Sequence, residues 1–128
     1  LAFDTTTAET CYWTFVAWQG LSGALTAVVT YRAASATSGT AAFSVSLEAI
    51  SDGDATDTDA GSSFATANSP AAATVPGTAG YIDQYSVTLT NDDSIAAGDY
   101  CRLSLARNVA SDSAAGDIQV LTVELREA

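Results

Sequence analysis

Apolar and polar residues alternate along several short stretches of the chain, with the period of a β-strand that buries one face. Residues 42–50 give the clearest case, because their large apolar side chains fall on one face and their serines and glutamate on the other. Residues 24–33 and 81–90 show the same alternation. Each of these stretches is therefore predicted to be a strand with one face in the core and one in water.

Residues 10–18 differ from these strands because both of their faces are apolar. We expect such a strand to be packed from two sides or to cover a neighbouring subunit. Aromatic side chains are enriched at the centres of protein interfaces, although burial in the protein's own core is the alternative. The aromatic residues that we consider as contacts to a partner are Tyr12, Trp13, Trp18 and Tyr31.

The end of the chain contains two apolar runs, residues 100–106 and 118–125, separated by a polar segment. This arrangement predicts a closing β-hairpin with a loop of medium length. Arg107 and Asp117 stand at the two ends of that loop. A cross-strand ion pair between them would fix the register of the hairpin.

The second of these runs changes faces midway. Ile118 and Val120 fall on one face, whereas Leu121, Val123 and Leu125 follow an offset pattern. The offset indicates either a β-bulge or a strand that is buried on both sides. A doubly buried last strand needs a cover, and a neighbouring subunit is the preferred cover. Leu121 and Leu125 are therefore further candidates for an interface.

Strand patterns separated by turn residues recur through the chain, without the spacing of an amphipathic helix. They predict an all-β fold, an antiparallel two-sheet β-sandwich, because parallel strands would need covering crossovers. Jelly-roll-like and immunoglobulin-like topologies both fit the strand count, but the immunoglobulin signature fails, because Tyr100 stands directly before Cys101 and not two residues before it. A length of 128 residues suits one β-sandwich domain, residues 1–128. Within it, residues 1–23 form an N-terminal strand and turn that we consider for contacts to other subunits.

The charge of the chain limits its partners. There are 15 acidic residues and four arginines, with neither lysine nor histidine, which gives a net charge of −11. Nucleic-acid affinity depends on lysine and arginine side chains that neutralise phosphates, and anionic membranes repel an acidic surface in the same way. No apolar run approaches the roughly 20 residues that span a bilayer. We therefore expect neither a nucleic acid nor a membrane as partner.

The chain has two cysteines, Cys11 and Cys101, each within an apolar run. Two buried free thiols are one interpretation. A single disulfide between an N-terminal strand and the closing hairpin is the other, and it requires the two Cα atoms to lie within about 7 Å. Two cysteines without histidine do not complete a tetrahedral zinc site.

The residue types present exclude most catalytic chemistry. Without histidine or lysine, neither a Ser-His-Asp triad nor a Schiff base can form. A pair of carboxylates, with Glu48 and Glu124 among the candidates, is the remaining option, and no pattern selects a pair. The aspartate-rich loop 52–59 does not have EF-hand spacing, which favours a solvated loop over a calcium site. We expect neither an enzyme nor a bound cofactor.

From residue 24 to residue 127 the order of features resembles small β-sandwich modules in structural proteins of tailed bacteriophages. The stretches that carry the resemblance are LTAVVTYRAASATSGTAAFSVSLEAISDGDATD, VPGTAGY and AAGDYCRLSLARNVASDSAAGDIQVLTVELRE. In that group a Gly-Asp pair opens an apolar strand that ends in arginine, and a polar loop with a short acidic segment leads into the last strand. The corresponding residues here are Gly98, Asp99, Arg107, Gly116 and Asp117.

The resemblance implies a jelly-roll-like virion structural protein, typically a homotrimer. It implies a capsid decoration (cement) protein that contacts the major capsid protein or other virion proteins, with residues 1–23 as candidates for the capsid contacts. A tail-fibre or spike-tip domain is the alternative. An acidic surface suits the outside of the particle, because it repels the packaged genome. A carbohydrate-binding module is a further alternative, for which Trp18 would form a platform with Tyr12 or Tyr31. An acidic halophilic domain would also explain the absence of lysine.

Overall fold

The computed structural model describes residues 1–127, and these residues form β-strands and loops without a helix. Every strand pairing among them is antiparallel. The strands are β1 (Ala2–Phe3), β2 (Thr10–Val16), β3 (Leu25–Ala33), β4 (Thr40–Ala41), β5 (Phe43–Ile50), β6 (Ala73–Thr74), β7 (Ile82–Leu89), β8 (Tyr100–Arg107) and β9 (Ile118–Glu127).

Two main sheets enclose the core. The four-stranded sheet has the order β1-β9-β3-β7 and the three-stranded sheet has the order β2-β8-β5, while β4 and β6 form a small ribbon. Each sheet presents an apolar face to the other, because β5, β7 and β8 alternate between buried and more exposed side chains. The predicted all-β, antiparallel sandwich-like architecture is confirmed.

The predicted closing hairpin is wrong. Strand β8 pairs with β2 and β5, whereas β9 pairs with β1 and β3 in the other sheet. Residues 108–117 therefore carry the chain from one sheet to the other. Both strands still bury an apolar face in the shared core, and the same alternation would result if the two strands were neighbours in one sheet.

The core is built around Phe43 of β5. Its ring makes edge-to-face contacts with Phe3, Tyr31 and Tyr85, at centroid distances of 6.4, 5.5 and 5.4 Å. Burial of each large apolar side chain contributes about 1.5–3 kcal/mol. Tyr31 was predicted as an interface candidate, but it is fully buried and its hydroxyl donates to the Asp83 carboxylate at 3.1 Å. The structure excludes it from any exposed surface.

A β-bulge in β9 explains why the apolar pattern changes faces. Tyr31 lies opposite Val120, and the preceding residue Thr30 lies opposite Thr122. Leu121 is therefore the extra residue, and after it Val123 and Leu125 point back towards the core. The bulge that the sequence predicted as one of two alternatives is confirmed.

Arg107 does not pair with Asp117, as the sequence predicted, but with Asp112. The Arg107 guanidinium is buried and also donates to the main-chain carbonyls of Ala114 at 2.9 Å, Gly116 at 2.9 Å and Phe3 at 3.2 Å. The loop folds back as it crosses between the sheets, which places Asp112 beside the guanidinium. One buried cation therefore fastens the crossing loop to β1 and β8.

One side of the sandwich is sealed by residues 65–75. The main chain of Asn68 exchanges hydrogen bonds with Val45 on the outer edge of β5, at 2.8 and 3.0 Å. The Tyr85 hydroxyl of β7 donates to the carbonyl of Pro70 at 2.8 Å. This segment therefore pairs with the outer edge of β5 in one sheet and contacts β7, the edge strand of the other sheet.

Candidate functional site

The opposite side of the sandwich is open and contains an apolar groove between β2 and β9, which we call the edge groove. Its volume is about 280 Å³. Strand β2 forms one wall and the second half of β9 forms the other, with a side chain of β8 at the base. The residues that line it are Trp13, Thr14, Phe15, Trp18, Leu103, Val123 and Leu125.

Strand β2 is an edge strand without the usual protection of such strands. It pairs with β8 alone, and its sequence TCYWTFV contains no charged residue and no proline. Its outer amide and carbonyl groups have no main-chain partner among residues 1–127. Natural edge strands are commonly blunted by charges, prolines or covering segments, because an open edge pairs with other chains. The edge of β2 is therefore available for pairing with another strand.

The second half of β9 has a free edge of the same kind. Strand β1 pairs only with Ile118 and Gln119, and Leu1 adds two hydrogen bonds to the main chain of Val120, at 2.7 and 3.1 Å. Beyond that point, residues 121–127 of β9 pair with β3 alone. Leu121, at the bulge, is 45% exposed. Two unpaired strand edges therefore border one apolar groove.

The two tryptophans of the groove are held in place and partly exposed, Trp13 at 37% and Trp18 at 36%. Trp18 begins a turn that is fastened to the end of β9. The Glu127 carboxylate accepts hydrogen bonds from the amides of Ser22 at 2.6 Å and Gly23 at 2.8 Å. These two bonds lower the pKa of Glu127. Trp18 is thus part of an ordered wall of the groove.

The four aromatic residues predicted as partner contacts lie in three different environments. Trp13 and Trp18 share the edge groove, and Tyr31 is in the core. Tyr12 lies on the outer face of the three-stranded sheet, where its ring is 5.7 Å from that of Phe64. The platform of Trp18 with Tyr12 or Tyr31, predicted for the carbohydrate-binding alternative, is therefore not formed.

Both predicted residues of β9 lie beside the groove. Leu125 is half-buried and lines it, and Leu121 is exposed next to it. Four further lining residues, Thr14, Phe15, Leu103 and Val123, were not selected from the sequence. Phe15 could have been found, because the alternation of β2 places it on the same face as Trp13. Leu103 could not, because its place at the groove depends on β8 lying beside β2.

The two cysteines are free thiols in neighbouring strands. Cys101 lies opposite Phe15, and Cys11 lies four positions along β2 from that residue. With a rise of about 3.3 Å per residue, the cysteines are about 13 Å apart, beyond the reach of a disulfide. Burial raises the pKa of the Cys101 thiol to about 11. The disulfide alternative is therefore wrong.

The predicted carboxylate candidates are not brought together. Glu48 is buried and accepts hydrogen bonds from Arg102 and from the Ser63 amide, whereas Glu124 is exposed and paired with Arg126 on β9. In the loop 52–59, aspartate side chains cap their own turns. Within residues 1–127 no cluster of acidic or cysteine side chains is arranged to hold a metal ion. None of the described segments is a helix suited to crossing a membrane.

Comparisons of the chain with protein-family models, with curated proteins and with solved structures found no match. The edge groove is therefore the main physical basis for a functional proposal.

Proposed function

We propose that the protein is a non-enzymatic structural subunit of a virion that decorates the outside of a phage head as a homotrimer. The observation that carries the proposal is the edge groove, where two tryptophans and two unpaired strand edges remain without a cover. Contiguous exposed apolar surface bordered by polar residues is typical of protein contact sites. A subunit of an assembly has the neighbouring copy or capsid protein that such a surface needs.

The resemblance to phage structural modules supports the virion role. The residues that carry the resemblance lie in turns and loops of this fold, or at the end of β8, where they make hydrogen bonds within the chain. Gly98 has a φ of +93° in the turn before β8, and the Asp99 carboxylate accepts hydrogen bonds from the Ala96 amide and the Ser51 hydroxyl, each at 2.8 Å. The Gly116 carbonyl accepts from Arg107. The motif therefore serves to join the two sheets, as expected of a scaffold rather than of a catalytic site.

The strand order also supports a jelly-roll topology. Apart from the ribbon strands β4 and β6, successive strands alternate between the sheets, with β1, β3, β7 and β9 in one and β2, β5 and β8 in the other. Residues 65–68 run beside β5, in the place that an eighth strand would occupy. Double-sheet jelly rolls with eight strands occur in viral capsid domains.

The net charge of −11 supports an exterior location. An acidic surface is repelled by the packaged genome and keeps neighbouring particles apart. Contact with the major capsid protein would then involve only part of the surface, with the apolar groove reserved for copies of the chain.

The test is to purify particles of the virus that encodes the chain, detect the protein by mass spectrometry and locate it by immunogold labelling. Label spread over the head surface is the expected result. Label confined to the tail would replace decoration with a fibre or spike role, and absence of the protein from the particles would contradict a virion role. Purified protein should also co-sediment with heads assembled without it.

A further inference from the structure

We infer that the edge groove is filled by a second copy of this chain, and that β2 of one copy pairs edge to edge with residues 121–127 of β9 of the next. The inference rests on the proposed function, since it specifies the contact that closes the proposed trimer. Because each copy offers β2 to one neighbour and β9 to the other, the contact repeats around a ring.

Charge favours a second copy at this place. The chain carries a net charge of −11, so two copies repel each other over most of their surfaces. None of the seven residues of β2 is charged, and no residue that lines the groove is charged. Two copies can therefore meet here without placing like charges side by side.

The free edge of β9, residues 121–127, contains one arginine and two glutamates and so has a net charge of −1. Arg126 donates to the Glu124 carboxylate at 2.8 Å, and the Glu127 carboxylate accepts hydrogen bonds from the amides of Ser22 and Gly23. An incoming β2 strand would meet a neutral pair and main-chain groups that lack partners. Strand addition of this kind supplies main-chain hydrogen bonds, while side chains that enter the groove supply apolar contact.

Pairing of two unlike edges satisfies more of the backbone than pairing of like edges. A two-fold dimer that joined β2 to β2 would leave residues 121–127 of β9 with a free edge. A contact between β2 and β9 is heterologous, and it forms a closed ring when the rotation between copies closes. Both edges border one groove, so they lie on the same side of the sandwich. Three copies arranged around an axis would enclose Trp13 and Trp18 of each copy.

The experiment uses the full chain with Cys11→Ser, which removes the more accessible of the two native thiols. Cys101 is kept, because it is fully buried and out of reach of the crosslinker. One protein carries Thr14→Cys in β2, and a second, made larger by a tag, carries Thr122→Cys in β9. Each is treated alone and in mixture with a short bismaleimide crosslinker. We expect a crosslinked species of mixed mass in the mixture and no crosslinked dimer with either protein alone. Ile82→Cys, on the exposed face of β7 at the distant edge, replaces either partner as the matched control and should give no product.

Light scattering of the same samples separates this inference from the proposed function. A trimer whose single variants crosslink alone, or whose mixture does not crosslink, would overturn the β2–β9 pairing and leave a trimeric structural protein in place. A protein that stays monomeric at all concentrations would overturn the pairing and the homotrimer together. Immunogold labelling of particles tests the virion role independently of both results.

Discussion

Arg107 and Asp112 form a doubly hydrogen-bonded ion pair inside the sandwich, with the second contact, from Nη2 to Oδ1, at 3.2 Å. Their side chains are 0% and 3% exposed. Three main-chain carbonyls accept the remaining donors of the guanidinium. A planar group with five N–H donors can satisfy this arrangement, whereas an ammonium group cannot reproduce its geometry.

Arg107→Ala is expected to lower the free energy of unfolding by about 3–5 kcal/mol, because it leaves the Asp112 carboxylate and three carbonyls buried without partners. Arg107→Lys should restore only part of this loss. Urea denaturation monitored by tryptophan fluorescence measures the effect. Arg32→Ala, which removes an exposed arginine bound to Gln119, is the control and should change stability by less than about 1 kcal/mol. Equal effects of Arg107→Ala and Arg32→Ala would contradict the structural role of Arg107.

Glu48 should make the stability depend on acid pH. Its hydrogen bond from Arg102, with a further bond from the Ser63 amide, lowers the pKa of Glu48 below the ordinary value of 4.5. A carboxylate with a lowered pKa stabilises the fold at pH values above its unfolded pKa, and this contribution is lost as the pH falls through the folded pKa.

Glu48→Gln is therefore expected to cost about 1–3 kcal/mol at pH 7. The difference between the variant and the natural chain should begin to shrink as the pH falls below about 4.5, where the unfolded chain takes up a proton, and it should disappear below the lowered pKa of Glu48 in the folded protein, where both side chains are neutral. Unfolding curves at a series of pH values measure it. A difference that stays constant down to the acid transition would show that the charge of Glu48 is unimportant. Glu124→Gln, on an exposed pair, is the matched control.

Only one of the two thiols should react in the native protein. Cys11 is half-buried, while Cys101 is fully buried and its pKa is raised to about 11. The thiolate is the reactive form, so Cys101 should react only after denaturation. A maleimide assay followed by mass spectrometry should find one label at pH 7.5 and two in urea. Loss of both labels on mild oxidation, with recovery on reduction, would indicate a disulfide and contradict the register of β2 and β8.

Leu121→Asp should separate assembly from folding. Leu121 is 45% exposed at the bulge, so a charge there should change the stability of the single chain by less than about 1 kcal/mol. In the proposed trimer this residue would face the neighbouring copy, so light scattering should show a loss of trimer. Leu125→Asp should affect both properties, because Leu125 is half-buried in the groove. A trimer that persists in both variants would count against this interface.

Deletion of Leu121 should be tolerated by the fold. Without it, Val120 and Thr122 become consecutive and the inward residues of β9 keep their faces, as the register with β3 requires. Deletion of Glu124 should be far more harmful, because it turns Leu125 outwards. Circular dichroism and urea denaturation compare the two. Equal destabilisation by the two deletions would show that Leu121 is not the inserted residue.

Local patterns predicted the strands well, because alternation depends only on which face each side chain takes. Strand β5 and the bulge in β9 are examples. The same patterns could not predict which strands pair. Residues 108–117 can return to the same sheet or cross to the other, and both outcomes bury the same faces of β8 and β9.

The errors at individual residues follow from this limit. The partner of Arg107 depends on the path of the crossing loop, which brings Asp112 rather than Asp117 to the guanidinium. Tyr31 is in the core because it lies on the face of β3, shared with Ala27 and Val29, that packs against the other sheet. The edge groove could be predicted in part, since the two-faced apolar sequence of β2 indicated a strand that is packed from two sides or covers a neighbouring subunit. The other wall of the groove, the second half of β9, could not be predicted, because the sequence does not show which strand lies across the sandwich from β2.

The position of β9 between β1 and β3 has a consequence for synthesis of the protein. Strand β3 leaves the ribosome long before β9 does. The edge of β3 that pairs with β9 must therefore stay unpaired until residues 118–127 have been made. Contacts between such distant parts of a chain form slowly, and exposed edges favour misassembly meanwhile. Losses to inclusion bodies during expression should therefore grow when translation pauses between β3 and β9, because a pause lengthens the time for which that edge is exposed.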